Sequence, residues 1–242
     1  MIRSGNPVLQ GDVFTSEQSY DASNAMTIQG TVNKSFVLLL LIVLTASWTW
    51  THMAVGLMLT LPAVIVGFIL ALVTVFKKEW SGVTSPLYAL VEGVILGGVS
   101  AYFEASWPGI VMQAVTLTFG TLFCLLAAYK SGWIQATEKF KLGIFAATGG
   151  IALLYFIDMI MGFFGARIPV IYSSGPFGIG LSVVIVIIAA LNLILDFDFI
   201  ESGAVNGAPK YMEWYGAFGL MVTLIWLYLE ILRLLVKLRR RE

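Results

Sequence analysis

Residues 177–199 read FGIGLSVVIVIIAALNLILDFDF and carry no charge before Asp196. A helix of about twenty apolar residues is long enough to cross the ~30 Å hydrocarbon core of a bilayer. Backbone groups find no water partners in lipid, and the stretch lacks the alternating polar positions of a membrane β-strand. It therefore predicts a transmembrane helix whose end carries two acids, Asp196 and Asp198.

Six further apolar stretches of similar length occur on either side of this one. Together the seven segments span residues 35–51, 54–76, 86–103, 109–129, 142–165, 177–199 and 214–236. The connections between them are too short to hold another domain. We therefore predict an all-α fold, a polytopic membrane helical bundle of seven hydrophobic segments. Residues 1–33 are expected to form a polar N-terminal tail, residues 34–238 the seven-helix transmembrane domain, and residues 239–242 a basic C-terminal tail.

The composition supports the bilayer as the main surrounding and excludes several classes of function. Of the 242 residues, 59% are hydrophobic and 12% are charged, whereas soluble domains carry about a quarter charged residues. The net charge of zero argues against a nucleic-acid partner. A single cysteine, Cys124, and a single histidine, His52, exclude an internal disulfide and a Cys/His zinc site. No nucleophile or phosphate-loop motif occurs, so we expect neither an enzyme nor a bound cofactor.

Lysine and arginine are distributed unevenly between the loops. If the N-terminus is cytoplasmic, Arg167 is the only base in the opposite loops. The cytoplasmic side then receives Arg3, Lys34, Lys77, Lys78, Lys130, Lys139, Lys141 and Lys210. Short cytoplasmic loops are enriched in such residues, so we expect this orientation. Seven full crossings would nevertheless place the basic C-terminus outside, unless the last segment dips into the membrane and returns; the sequence leaves both arrangements open.

Five acids lie within the apolar segments, and they are the candidate functional residues. They are Glu92, Asp158, Asp196, Asp198 and Glu230. A charged side chain near the centre of a span costs about 2.5–3.5 kcal/mol on insertion scales, so such residues usually face the bundle interior and mark a pathway or relay. Almost no base lies at the same depth. An acid-rich interior favours a cation or a proton, and Ca²⁺ in particular prefers oxygen ligands.

Each acid also has a structural interpretation. Asp196 and Asp198 are roughly 200° apart around a helix, so only one can face the interior. Glu230 lies one turn before Arg233, where a local ion pair can form. Glu92 could clip two helices together beside Gly93, and Asp158 has no obvious partner. Glycines inside the segments, such as Gly93 and Gly97, Gly149 and Gly150, and Gly216 and Gly219, are typical of close helix packing in lipid.

Four stretches of the chain resemble the Bax inhibitor-1 family, also called the transmembrane BAX inhibitor motif family. They are ALVEGVILG at 89–97, LNLILDFDF at 191–199, LYLEILR at 227–233, and MTIQGTVNK at 26–34, the last resembling a bacterial branch with an N-terminal extension. The resemblance implies a seven-segment helical fold with the last helix at its centre. It also implies a pH-sensitive calcium leak, with suppression of cell death in eukaryotic members.

The resemblance further implies a pH sensor made of one acid on the sixth segment and one on the seventh. These positions match Asp196 and Glu230, the second being a glutamate where the family has an aspartate. A basic residue after the second segment, matched by Lys77 or Lys78, is implied as a gating partner of these acids, and the spacing of Arg233 from Glu230 adds it to the candidate gating ion pair. Because lysine is a point charge and arginine can bind a carboxylate through two bonds, that role is weaker here.

We therefore expect an integral protein of the bacterial cytoplasmic membrane that passes Ca²⁺ or another cation under proton control. Asp196 and Glu230 would share a proton in the closed state, and loss of that proton would favour opening. Two other functions stay open. One is a non-transporting membrane protein that modulates partners not identified by the sequence, and the other is a proton-coupled transporter of a small solute.

Overall fold

The computed structural model describes residues 24–241, and within that range seven long apolar helices are able to cross a membrane. The expected helical membrane bundle is thereby confirmed. The helices are α1 (Ile28–Thr51), α2 (Met53–Phe76), α3 (Ser81–Ser106), α4 (Ile110–Lys130), α5 (Glu138–Phe163), the short α6 (Pro169–Tyr172), α7 (Pro176–Val205) and α8 (Met212–Arg239). One 3-10 turn, Lys78–Trp80, lies between α2 and α3.

The last helix, α8, lies at the centre of the bundle. It packs against α1, α3, α4 and α7, and its side chains include the most deeply buried of the core, such as Met221, Leu227 and Leu232. Because apolar burial gives little driving force between helices in lipid, close van der Waals contact has to hold this arrangement together. The central position implied by the family resemblance is therefore present.

Glycines bring α3 directly against its two neighbours. A β-carbon on Gly93 would collide with the Thr45 hydroxyl of α1, and one on Gly97 would collide with that of Thr49. On α2, Gly56 approaches Gly98 so closely that a β-carbon on Gly98 would lie 3.3 Å from the Gly56 carbonyl carbon. Gly93 and Gly97 therefore have the packing role expected of them, at the contact of α3 with α1.

Helix α5 is the loosely attached member of the bundle. Its main packing partner is α7, and a β-carbon on Gly149 or Gly150 would meet no atom within 4 Å. These two glycines therefore do not serve the intramolecular packing that their spacing suggested. The spacing of small residues identifies a face that permits close approach, but the partner is set by the fold.

The first helix begins earlier than its hydropathy suggests. Thr27 caps α1 by accepting a hydrogen bond from the Gly30 amide through its side chain, so the helix starts at Ile28 rather than near residue 35. Just before it, the Met26 amide donates to the Ala208 carbonyl at 2.7 Å, and the Lys210 amide donates to the Asn24 carbonyl at 2.9 Å. Of the expected polar tail, residues 1–23 lie outside the described residues, and residues 24–33 belong to this cap and the first turns of α1.

The two ends of α8 lie on opposite faces of the bundle. We call "near face" the side of the α8 start, where the Ser81 hydroxyl donates to the Tyr211 carbonyl, and "far face" the side of its end, where Lys237 contacts Gly178 at the start of α7. The α1 start also lies on the near face, through its contact with residues 208–210. The last segment is therefore one continuous helix that runs from one face of the bundle to the other and is long enough to cross a membrane, without the break that dipping in and returning would need.

Candidate functional site

Asp196 faces the central helix from α7. A β-carbon placed on Gly219 of α8 would lie 3.7 Å from its Oδ1 atom, and the Thr223 hydroxyl lies beside the carboxylate. Its Oδ2 atom is buried and has no hydrogen-bond partner in the described part of the chain. Buried polar groups are nearly always hydrogen-bonded, so an orphaned carboxylate oxygen inside a membrane bundle indicates a site for a proton, a water or a cation.

Glu230 lies on α8, in the half nearer the far face, and its carboxylate accepts hydrogen bonds from two residues. The Tyr155 hydroxyl of α5 donates to its Oε1 atom at 2.8 Å, and Arg233 donates to the same oxygen at 3.0 Å and to Oε2 at 3.2 Å. Arg233 also donates to the Tyr155 hydroxyl and lies over the Tyr155 ring. The expected local pair of Glu230 and Arg233 is therefore present, and it connects α5 to the central helix.

The expected carboxylate pair of Asp196 and Glu230 is not formed. Asp196 lies at the level of Gly219 and Thr223, which precede Glu230 by 11 and 7 positions, or roughly 16 and 10 Å along α8 at ~1.5 Å per residue. No acid on α8 faces Asp196 from these two positions. The resemblance located the seventh-segment acid by local sequence alone, whereas the register between α7 and α8 determines which residues meet.

Lys77 and Lys78 also do not reach Glu230. Both lie on the near face, where the ammonium group of Lys78 is 5.3 Å from the centre of the Tyr215 ring and Lys77 ends α2. Tyr215 and Glu230 are 15 positions apart on α8, or about 22 Å. The expected gating contact of these lysines with Glu230 is therefore absent, because the two groups belong to opposite ends of one helix.

The remaining acids of the candidate set are separated from one another. Asp198 points away from Asp196 and forms an ion pair with Lys141 of α5 at 2.7 Å, near the near face. Asp158 accepts hydrogen bonds from the Ile168 amide at 2.8 Å and from the Tyr172 hydroxyl, so it anchors the connection between α5 and α7. Glu92 lies against Gly67, at the contact of α3 with α2. The structure thus gives Asp198 and Asp158 structural partners and brings none of the five acids together.

A further acid, Glu213, was not predicted from the sequence. It is fully buried at the start of α8 and accepts bonds from the Thr27 amide at 2.9 Å, the Thr27 hydroxyl at 2.8 Å and Lys210 at 2.8 Å, and it also pairs with Lys34. A β-carbon on Gly30 would collide with its carboxylate. Thr27, Gly30 and Lys34 all belong to the stretch at 26–34 that carries part of the family resemblance. That resemblance is the sequence feature that could have pointed to a buried partner for these residues.

Lys237, near the end of α8, is a second buried charged side chain. Its side chain is almost fully buried, and its ammonium donates to the Gly178 carbonyl at 2.9 Å and to the Ser182 hydroxyl at 2.7 Å. These bonds join the end of α8 to the start of α7. A lysine near a helix end often reaches for water, so only the packing of α7 shows that this one turns inward.

The described residues contain no group of three or more His, Cys, Asp or Glu side chains placed to hold a metal ion. The acids are therefore arranged as separate single groups along the bundle. Of these, Asp196 alone combines an inward position with a buried oxygen that lacks a donor in residues 24–241.

Seven long apolar helices in the described residues, one of them central, with isolated acids inside, define a polytopic α-helical integral membrane protein. Residues 6–240 match the family model described as Bax inhibitor 1 like. The match covers nearly the whole chain, so the protein belongs to this family. Comparison with curated proteins and with solved structures finds no match.

Proposed function

We propose that this protein is a proton-regulated cation leak, with Ca²⁺ as the permeant ion and Asp196 as the acid that senses protons. The proposal also places it in the bacterial cytoplasmic membrane with its N-terminus in the cytoplasm. Membership of the Bax inhibitor 1 like family supports the class of protein. The single observation that carries the specific function is the buried Asp196 oxygen without a hydrogen-bond donor in the described chain.

The proposed mechanism depends on one acid rather than on a carboxylate pair. With its proton, Asp196 is neutral and is compatible with the apolar contact of α7 and α8. Without the proton, the carboxylate is a charge whose Oδ2 atom is buried, with the Thr223 hydroxyl of α8 beside it. The bundle then shifts toward conformations in which water or a cation reaches the carboxylate, so cation flux increases with pH.

The conformation described here corresponds to the closed state of this mechanism. Asp196 lines neither of two large cavities of the bundle, and its carboxylate faces Gly219 of α8 instead. Opening therefore has to separate α7 from the middle of α8. At this level α8 presents Gly219, which has no side chain, and the Thr223 hydroxyl, which can contact water or a cation.

The test is calcium flux into liposomes that contain the full-length protein, measured from about pH 5 to about pH 8, a range in which perturbed groups change their charge. We expect flux to rise with pH and Asp196→Asn to lower it at the upper end by about tenfold or more, within the usual range of coupling. Glu230→Gln is the matched control, because Glu230 is already paired with Arg233, and its pH profile should keep its shape.

Two results would contradict the proposal. The first is flux through the intact protein that does not exceed that of empty liposomes at any pH. The second is an Asp196→Asn profile that coincides with that of the intact protein, which would leave a leak without this sensor.

A further inference from the structure

A large apolar cavity lies between α1 and α4 on the near-face half of the bundle. Its volume is about 660 Å³, within the ~300–1,000 Å³ typical of ligand sites. Leu39 of α1 and Leu122 and Leu126 of α4 line its walls, and Leu220 and Leu224 of α8 form its floor. Most of this lining is hydrocarbon, which favours an apolar chain over a soluble metabolite.

A second cavity continues the first toward the far face. Its volume is about 510 Å³, and it shares Leu39, Phe119 and Leu224 with the first cavity. The two therefore form one groove, which we call the α1–α4 groove. On α1 its near-face half runs from Ile28 to Leu39, or about 16 Å at ~1.5 Å per residue, which is half of a ~30 Å hydrocarbon core. That length matches the acyl chain of a lipid in a single leaflet.

The groove opens sideways to the bilayer. Both α1 and α4 pack against α8, but they hardly contact each other. At the mouth, Phe36 of α1 is 70% exposed and Phe123 of α4 is 64% exposed, so aromatic rings flank an entrance from the lipid phase. A lipid chain can therefore enter without any rearrangement of the core.

The near-face end of the groove carries a positive and a negative side chain that are not in ion pairs with any residue in the described range. Lys130 ends α4, and Glu201 of α7 accepts a hydrogen bond only from the neighbouring Tyr129 hydroxyl, at 2.5 Å. The other acid of this rim, Asp198, is paired with Lys141. One ammonium and one carboxylate thus face the same headgroup region, where charge-assisted hydrogen bonds are strong.

We propose that the α1–α4 groove is a binding site for one ethanolamine phospholipid of the near-face leaflet. One acyl chain lies in the near-face half of the groove, between α1 and α4. The headgroup phosphate binds the Lys130 ammonium, and the headgroup ammonium binds the Glu201 carboxylate. A headgroup of net negative charge satisfies Lys130 only and leaves Glu201 facing an anion, so the rim discriminates between the two classes of lipid. This site is independent of the proposed ion flux.

The experiment is native mass spectrometry of the full-length protein, delipidated in detergent and then supplied with equal amounts of phosphatidylethanolamine and phosphatidylglycerol. We expect one bound phosphatidylethanolamine per chain in preference to phosphatidylglycerol. Lys130→Ala should weaken retention of both lipids by about tenfold, as for the loss of a charge-assisted hydrogen bond. Glu201→Gln should remove the preference and leave binding of phosphatidylglycerol intact or stronger.

Two further variants separate the site from ordinary boundary lipid. Val32→Trp places a large ring in the groove and should abolish the bound lipid without lowering the melting temperature of the lipid-free protein. Lys139→Ala is the matched control, because Lys139 is an exposed near-face lysine that does not line the groove.

Several outcomes would overturn the proposal. One is equal retention of both lipids that no rim variant changes, which indicates boundary lipid only. Another is a preference for phosphatidylglycerol in the intact protein. A third is a groove occupied by a second copy of the chain, seen as a dimer that Val32→Trp dissociates while lipid retention stays the same.

Discussion

The start of α8 and the contact of α7 with the middle of α8 each enclose an acid, yet the two surroundings differ completely. Glu213 receives donors from Thr27, Lys34 and Lys210, so its charge is balanced on several sides. Asp196 has a buried oxygen with no donor in the described residues. A compensated buried charge holds helices in one arrangement, whereas an uncompensated one favours a change of protonation or of conformation.

Between these extremes lies Glu230, which has one ion pair and one hydroxyl donor. Its partner Arg233 is 40% exposed, so water shares in solvating the pair. The three acids therefore form a series in which the number of donors decreases from Glu213 through Glu230 to Asp196. If the number of donors determines structural importance, the loss of unfolding free energy on substitution should decrease from Glu213 through Glu230 to Asp196. The effect of substitution on ion flux should be largest at Asp196.

The largest effect on stability is expected for Glu213→Ala. Removal of this carboxylate leaves Lys34 and Lys210 without their acid and leaves the Thr27 donors unpaired, so we expect a loss of about 3 kcal/mol, as for a broken buried pair. Chemical denaturation in detergent measures it. Glu79→Ala, at an exposed near-face position, is the control and should change the unfolding free energy little. A loss no larger than that of the control would remove Glu213 from the top of the series.

An intermediate effect is expected for Glu230→Gln. The amide oxygen still accepts from Tyr155, but the ion pair with the part-exposed Arg233 is lost, so the expected cost is about 1 kcal/mol. The same denaturation assay applies, with Glu138→Gln as the control because the Glu138 side chain is 91% exposed. A cost equal to that of Glu213→Ala would show that donor number does not set the order.

The smallest effect on stability is expected for Asp196→Asn. No hydrogen bond of the buried Oδ2 is lost, so the unfolding free energy should change by less than about 0.5 kcal/mol, or rise. The same variant should have the largest effect on calcium flux. A clear loss of stability would instead indicate that Asp196 has a structural partner, and it would weaken the proposed sensor.

Much of the fold could be predicted from the distribution of hydrophobic residues. The apolar segments mark all seven long helices, because length and hydrophobicity are the properties that the bilayer selects. Boundaries were less predictable: α1 starts at Ile28 because Thr27 caps it and Glu213 receives the Thr27 donors, which hydropathy does not detect. The opposite rotation of Asp196 and Asp198 also followed from helical geometry alone.

The candidate site was less predictable. The pairing of Asp196 with Glu230 depends on the register of α7 against α8. A sequence shows which residues share one face of a helix, but it does not show the axial position of one helix relative to another. The resemblance supplied two acids on the correct segments, but Gly219 and Thr223 are the residues of α8 at the level of Asp196. Glu213 was overlooked because it stands at a segment edge, where an acid usually meets water.

The amino-acid sequence by itself determined that this protein is a membrane bundle, which segments cross, and which acids lie within them, since each of these follows from local composition and from the cost of polar groups in lipid. Only the tertiary structure decided which acids are neutralised, that α8 runs from one face of the bundle to the other, and that α1 and α4 leave a groove between them. These features depend on contacts between residues far apart in the chain. Such contacts are set by the packing of whole helices, which no local stretch encodes.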